Sequence, residues 1–255
     1  MRNAVINESP KLYEPELGIG LHGGNSSNSG YDLQGALRAS KVKFNRHRIR
    51  IKNVESPQPS YFFQVNQEKE KNVNWVVGLT TAHILYGFKA SSDIDVIFRE
   101  RESLKPLSDV LYVFGIEGLY NHLNKASVDD IYNWLSPILS ETKSDYCNGF
   151  IDDNNPDYWL HQLVEKYDTF GYPLDANLFN VYMLNIIKLP IGQALKIKSY
   201  YIYMPISGSY LEVTDHQQSL CEFDVDDWLY NREYETDLLK FRTIELEIKT
   251  LKTVL

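Results

Sequence analysis

The spacing of apolar residues changes twice along this chain, from a period of two to about 3.6 and back to two, and this order restricts the folds open to it. Residues 42 to 66 predict strands. Arg46, Arg48 and Arg50 alternate with Ile49 and Ile51, Ser56-Pro-Gln-Pro59 breaks the run, and Tyr61 to Asn66 resumes it. Trp75 to Leu79 reads as a further strand, after which Ala82, Leu85 and Tyr86 predict a short helical turn. A mostly helical segment is expected from about 104 to 170.

Within that segment Ser127 caps a helix, with Asp130 three residues on and Val128, Ile131, Leu135, Ile138 and Leu139 on one face. Asn155 followed by Pro156 opens another, with Trp159, Leu160, Leu163, Val164 and Tyr167 inward. From Leu178 the period of two returns: Phe179, Val181 and Met183 alternate, Pro190 to Gly192 makes a turn, and Ala194 to Met204 and Tyr210 to Val213 read as strands. A charged helix is expected from about Asp226 to Lys252. Strands, helices, then strands fit a β-barrel or sandwich interrupted by a helical insertion, not a doubly wound α/β fold.

Charge and cysteines narrow the function classes. The formal net charge of −8 opposes nucleic-acid binding over the whole surface, yet residues 38 to 52 carry Arg38, Lys41, Lys43, Arg46, Arg48, Arg50 and Lys52. Arg46, Arg48, Arg50 and Lys52 share one face of the predicted strand, a row suited to phosphates or to an acidic protein surface. A protein or ribonucleoprotein partner is therefore expected at 38–52. A solvated strand face is the simpler alternative. Cys147 and Cys221 lack disulfide or thiolate-metal spacing. Met1 to Lys11 lacks an apolar leader, and no stretch approaches the roughly 18 to 20 apolar residues of a membrane span. The expectation is a soluble cytoplasmic protein that does not enter a membrane.

Several segments, taken in order, resemble the type I mannose-6-phosphate isomerases, zinc enzymes built on cupin-type jelly rolls with a helical insertion. Glu16 to His22 resembles the family's E-L-W-M-G-A-H. Ile51 to Asn66 resembles the stretch ending in Q-V-H, with Glu68 and Lys69 standing for the D-K that follows. Asn74 to Thr80 and Leu85 to Phe88 resemble E-M-x-x-A-L-T and L-C-G-F. Leu184 to Leu195 resembles L-L-N-V-V-K-L-x-P-G-E-A-L, and Ile206 to Gly208 with Leu211 to Val213 resembles Y-L-S-G followed by L-E-V.

The resemblance implies a degenerate, shortened member: mainly β, with a discontinuous cupin-type barrel over 12–100 and 178–225, a helical insertion over 101–177 and a C-terminal helix over 226–255. It places the family's four zinc ligands at Gln64, Asn66, Asn74 and Tyr203. A glutamine, two asparagines and a phenol are weak, uncharged donors in place of imidazole and carboxylate, so the zinc is expected to be lost and no cofactor is expected. Lys69 is either a remnant of the pocket or part of the charge run Gln67 to Lys71. His122 and His161 are read as surface or boundary residues.

The expected function is a catalytically inactive isomerase-like binding or assembly subunit. The alternative is a divergent active isomerase that interconverts mannose 6-phosphate and fructose 6-phosphate. A third reading is a metal-free pocket that still takes a sugar phosphate.

Overall fold

The computed structural model describes residues 47–53, 74–198, 201–215 and 240–250. Their strands are β1 (His47–Asn53), β2 (Asn74–Gly78), β3 (Ala82–Phe88), β4 (Leu184–Leu189), β5 (Gln193–Ile197), β6 (Tyr203–Ser207), β7 (Ser209–Asp215) and β8 (Ile248–Thr250). Between β3 and β4 lie the helices α1 (Ser91–Arg99), α2 (Lys105–Lys125), α3 (Val128–Cys147), α4 (Pro156–Phe170) and the single turn α5 (Asn180–Met183). All strand pairings are antiparallel. One sheet has the order β1-β7-β2-β5-β8 and the other β4-β3-β6. Among the described residues these are two open sheets and no closed barrel, and helices contribute more residues than strands, so "mainly β" gives way to a mixed fold.

The molecule is layered, five-stranded sheet on three-stranded sheet on helices. Val76, Leu195, Ile197 and Tyr210 from the first sheet pack with Ile84, Tyr86, Ile187, Leu189 and Tyr203 from the second. The opposite face of the second sheet, with Leu85, Leu184, Met204 and Ile206, packs against Phe98, Leu107, Leu119, Leu135, Leu160 and Tyr182 of the helical segment. This burial explains a correction: Ala82 to Phe88 is a strand and not a helical turn. With both faces covered, all seven of its residues are buried and the alternation that marks a half-exposed strand is absent.

The helical segment starts earlier than expected, at Ser91. Ser127 and Asp130 form the reciprocal capping box, and Asn155 accepts from the Asp157 backbone N–H with Pro156 at the first helical position. Ile131, Leu135 and Ile138 are buried as read, but Val128 is exposed, lying in the first turn beyond the packed stripe. The period-two reading of Phe179, Val181 and Met183 fails. Residues 176–179 form a 3-10 turn and 180–183 a helical turn, all buried, and a wholly buried run shows no period. The expected turn at Pro190 to Gly192 is present, with the Gln193 N–H donating to the Pro190 carbonyl at 3.1 Å.

The C-terminal helix is overturned where that stretch is described. Residues 241–247 are not helical, and Ile248–Thr250 pair with β5. The sequence Ile244-Glu-Leu-Glu-Ile-Lys-Thr250 alternates strictly, which is a strand pattern, and the charges that suggested a helix fill its other face. Ile244 packs beside the inter-sheet core and faces Gly87 so closely that a Cβ there would lie 2.3 Å from its Cγ2. Gly87 has φ +60° and interrupts the β3–β4 register, and the Asn185 side-chain amide donates to the Gly87 carbonyl at 3.0 Å. Among the described residues no helix is long and apolar enough to cross a membrane.

Candidate functional site

Register decides which residues enter the layer between the sheets. Along β7, Tyr210 and Glu212 stand two apart, and Tyr210 belongs to the inter-sheet core. Glu212 is opposite Val76 of β2, another residue of that core. Glu212 therefore faces the inner layer, where it is 3% exposed. Tyr203, from β6 of the other sheet, reaches across the layer and donates its hydroxyl to Glu212 Oε1 at 2.8 Å. A carboxylate this deeply buried is costly unless hydrogen-bonded, and the phenol supplies one such bond.

Across the β1–β7 ladder, Arg50 stands opposite Glu212, Arg48 opposite Thr214 and Lys52 opposite Tyr210. Directly paired positions of an antiparallel ladder share a face. Arg48, Arg50 and Lys52 thus hold alternate register positions of β1, with Ile49 and Ile51 between them opposite Val213 and Leu211. β1 is an end strand of the described five-stranded sheet.

Of the pocket residues carried over from the resemblance, Asn74 is the first residue of β2, opposite Ile197 of the inter-sheet core, and Tyr203 is in the layer itself. The two positions thus fall in facing sheets about a common layer. Gln64, Asn66, Lys69 and Arg46 lie outside the described residues. The sequence reading missed Glu212. Its signal is the stretch Tyr210-Leu-Glu212, in which an acid falls two positions from Tyr210 and so on the face that Tyr210 gives to the inter-sheet core. His161 is also corrected: it is buried, stacked on Tyr146 with centroids 4.4 Å apart, and bonded to Thr142 at 2.9 Å. Burial lowers its pKa from the ordinary histidine value. His122 is exposed, as read.

The family's zinc can be tested against these donors. Asn74 and Tyr203 are uncharged oxygen donors by residue type, and the Tyr203 hydroxyl is already given to the Glu212 carboxylate. Among the described residues no group of three or more His, Cys, Asp or Glu could hold a metal ion. Zinc is held by imidazole, thiolate or carboxylate donors, so the residue types at Asn74 and Tyr203 fit it poorly.

No protein-family model and no curated protein sequence matches the chain. Solved structures do. A zinc-bound holo mannose 6-phosphate isomerase aligns with a TM-score of 0.56 at 15% identity, covering 78% of this chain and 55% of that one. A mannose 6-phosphate isomerase bound with zinc and yttrium gives a TM-score of 0.55 at 14% identity, covering 78% and 55%. A lysine-to-alanine variant of phosphomannose isomerase from Salmonella typhimurium gives 0.55 at 13% identity, covering 82% and 57%. The chain spans roughly half the length of these proteins. At such identity the likeness is one of fold, and this chain shares the mixed strand-and-helix fold of part of the phosphomannose isomerase structures.

Proposed function

We propose that this chain is a catalytically inactive relative of mannose-6-phosphate isomerase that acts as a binding or assembly subunit. The observation that carries this reading is the Tyr203–Glu212 pair: at a position where the resemblance puts a zinc-ligating histidine, a phenol donates to a buried carboxylate at 2.8 Å. Aldose–ketose isomerisation with zinc uses the ion as a Lewis acid on the sugar carbonyl. The expected result for the purified chain is no stoichiometric zinc by elemental analysis and no turnover of mannose 6-phosphate in a coupled assay. One tightly held zinc with chelator-sensitive turnover would return the chain to the active-isomerase reading.

A second reading is favoured by the β1 register. Three cationic residues, Arg48, Arg50 and Lys52, hold alternate register positions of β1 at the end of the described sheet, opposite Thr214, Glu212 and Tyr210, and such a row suits a phosphate-bearing ligand, whether a free sugar phosphate or a phosphorylated partner. Mannose 6-phosphate at 100 times its Kd would add about 2.7 kcal/mol to stability. For a chain of this size that raises Tm by about 5–10 °C. The shift should shrink with added salt and disappear in Arg50→Ala. A shift that survives Arg50→Ala, or none at all, removes this reading while leaving the zinc result to be judged by itself.

A further inference from the structure

On the helical side of the three-stranded sheet, its three strands set a row of polar residues. His83 of β3 stands opposite Lys188 of β4 and opposite Ser207 of β6. The loop between α3 and α4 brings Asp153 onto the same row. His83 Nδ1 lies 2.8 Å from Ser207 Oγ and its Nε2 lies 3.0 Å from Asp153 Oδ2. Lys188 Nζ is 2.6 Å from the same Asp153 oxygen. The loop is tied down by Trp159, whose indole N–H donates to the Asp153 carbonyl at 2.9 Å and whose ring lies 4.8 Å from the imidazole of His83.

From this geometry we infer that Ser207, His83 and Asp153 form a nucleophilic site for acyl esters. The hydrogen bonds assign the protons. An ionised carboxylate only accepts, so His83 Nε2 carries its hydrogen toward Asp153; the neutral ring then offers Nδ1 as acceptor, and the Ser207 hydroxyl donates to it. That is the arrangement of nucleophile, general base and orienting carboxylate, with the two ring nitrogens in exchanged roles relative to the serine proteases. His83 is buried, and that burial lowers its pKa against the opposing pull of Asp153, so the ring is a free base at neutral pH. The hydrogen bond from Lys188 holds the Asp153 carboxyl below the ordinary range. Ser207 is half-buried, and the Lys166 ammonium sits 3.2 Å from the carbonyl of the preceding residue, Ile206.

The chemistry balances with an ester and water as reactants. Ser207 Oγ attacks the ester carbonyl carbon as its proton passes to His83 Nδ1. The bond from that carbon to the alkoxy oxygen then breaks, and the leaving oxygen takes the proton from His83 to depart as an alcohol. Water, deprotonated by the same ring, cleaves the acyl-serine to a carboxylic acid and restores Ser207. Asp153 is a positioning residue: it fixes the tautomer and stabilises the imidazolium.

The test uses the full chain and a fluorophosphonate probe, which forms a stable adduct with serines activated in this way. The expected result is one label per chain on the peptide containing Ser207, absent in Ser207→Ala and slowed about 100-fold or more in His83→Gln, in line with loss of a general base. Labelling of the parent chain should fade in acid as His83 takes a proton. The charged groups facing that ring are Asp153 and Lys188. Asp153→Asn, which keeps the side-chain shape, should slow labelling and move its pH midpoint downward, because the carboxylate raises the His83 pKa; a merely structural contact would leave that midpoint in place. Melting curves of Ser207→Ala and Asp153→Asn establish that both are folded. No label on the parent chain, label elsewhere than Ser207, or an unchanged rate in both His83→Gln and Asp153→Asn overturns the inference.

Discussion

Arg101→Met is expected to destabilise the fold by about 3–5 kcal/mol, the cost of leaving a buried charge without its partner. Arg101 follows α1 and reaches Asp157 with two nitrogens, Nη2 to Oδ2 at 2.7 Å and Nε to Oδ1 at 3.2 Å. The Tyr182 hydroxyl, on a fully buried side chain, donates to Asp157 Oδ1 at 2.8 Å, and the guanidinium carbon lies 5.1 Å from the centre of that ring. Burial and the neighbouring Asp157 carboxylate push the Tyr182 phenol well above its ordinary pKa. One carboxylate thus joins the end of α1, the first turn of α4 and α5 within the helical layer. The side chain of Asp157 is only 8% exposed, so water cannot replace the lost guanidinium. At about 2–4 °C per kcal/mol for a chain of this length, Tm should fall by about 6–20 °C. Adding Asp157→Asn to Arg101→Met should return part of the loss, since it removes the orphaned charge. A Tm within 2 °C or so of the parent for Arg101→Met would mean that the network contributes little.

Gly208→Ala is the second large effect. Gly208 is the single residue between β6 and β7, where the chain passes from the three-stranded to the five-stranded sheet, and its φ is +85°. A Cβ there would lie 2.5 Å from the Thr81 carbonyl oxygen and 2.7 Å from the Ala82 Cα, both backbone atoms that cannot swing aside. The other crossing, between β2 and β3, is bound to it: the Leu79 and Thr80 N–H groups donate to the Ser209 carbonyl at 2.9 and 3.1 Å, and the Ser209 N–H donates to Thr80 Oγ1 at 2.8 Å. The left-handed backbone costs a β-carbon about 1–2 kcal/mol. Overpacking adds about 1–3 kcal/mol, so the expected loss is about 2–5 kcal/mol by thermal melting. The strain falls on both neighbours of functional interest, because Ser207 immediately precedes the glycine and Tyr203 and Glu212 lie on the two strands it joins. Fluorophosphonate labelling of Ser207 should therefore fall in the same variant. A parent-like melting curve would show that the two crossings are not in close contact.

The features readable from residues alone were those decided within a few positions. The Ser127 and Asn155 caps satisfy backbone N–H groups two or three residues away, and both helices begin where the caps predict. The turn at Gly192, with φ +75°, is of the same local kind. The strands that failed to show were those wrapped on both sides. β3 lies between a sheet and a helical layer, so its apolar run carries no period; the helical turns from Leu178 to Met183 are equally enclosed and were misread as a strand for the same reason. The C-terminal stretch was the reverse case, since the alternation from Ile244 to Thr250 was present but its charges resembled a helix surface.

Chemistry was less legible than structure. Residue types alone showed that Asn74 and Tyr203 are poor zinc ligands, because donor strength belongs to the side chain wherever it sits. They could not show that Tyr203 would meet Glu212, nine positions away across a sheet crossing, or that His83 would meet both Ser207 and Asp153, 124 and 70 positions away. Local sequence settled the caps, the turns, the helical insertion and the weakness of the metal donors, since each depends on neighbours in the chain or on one side chain. Folding in three dimensions settled which strand pairs with β1, which carboxylate enters the inner layer and which serine meets a base. A shift of one residue in strand register exchanges the two faces, and register is set by pairing between distant segments.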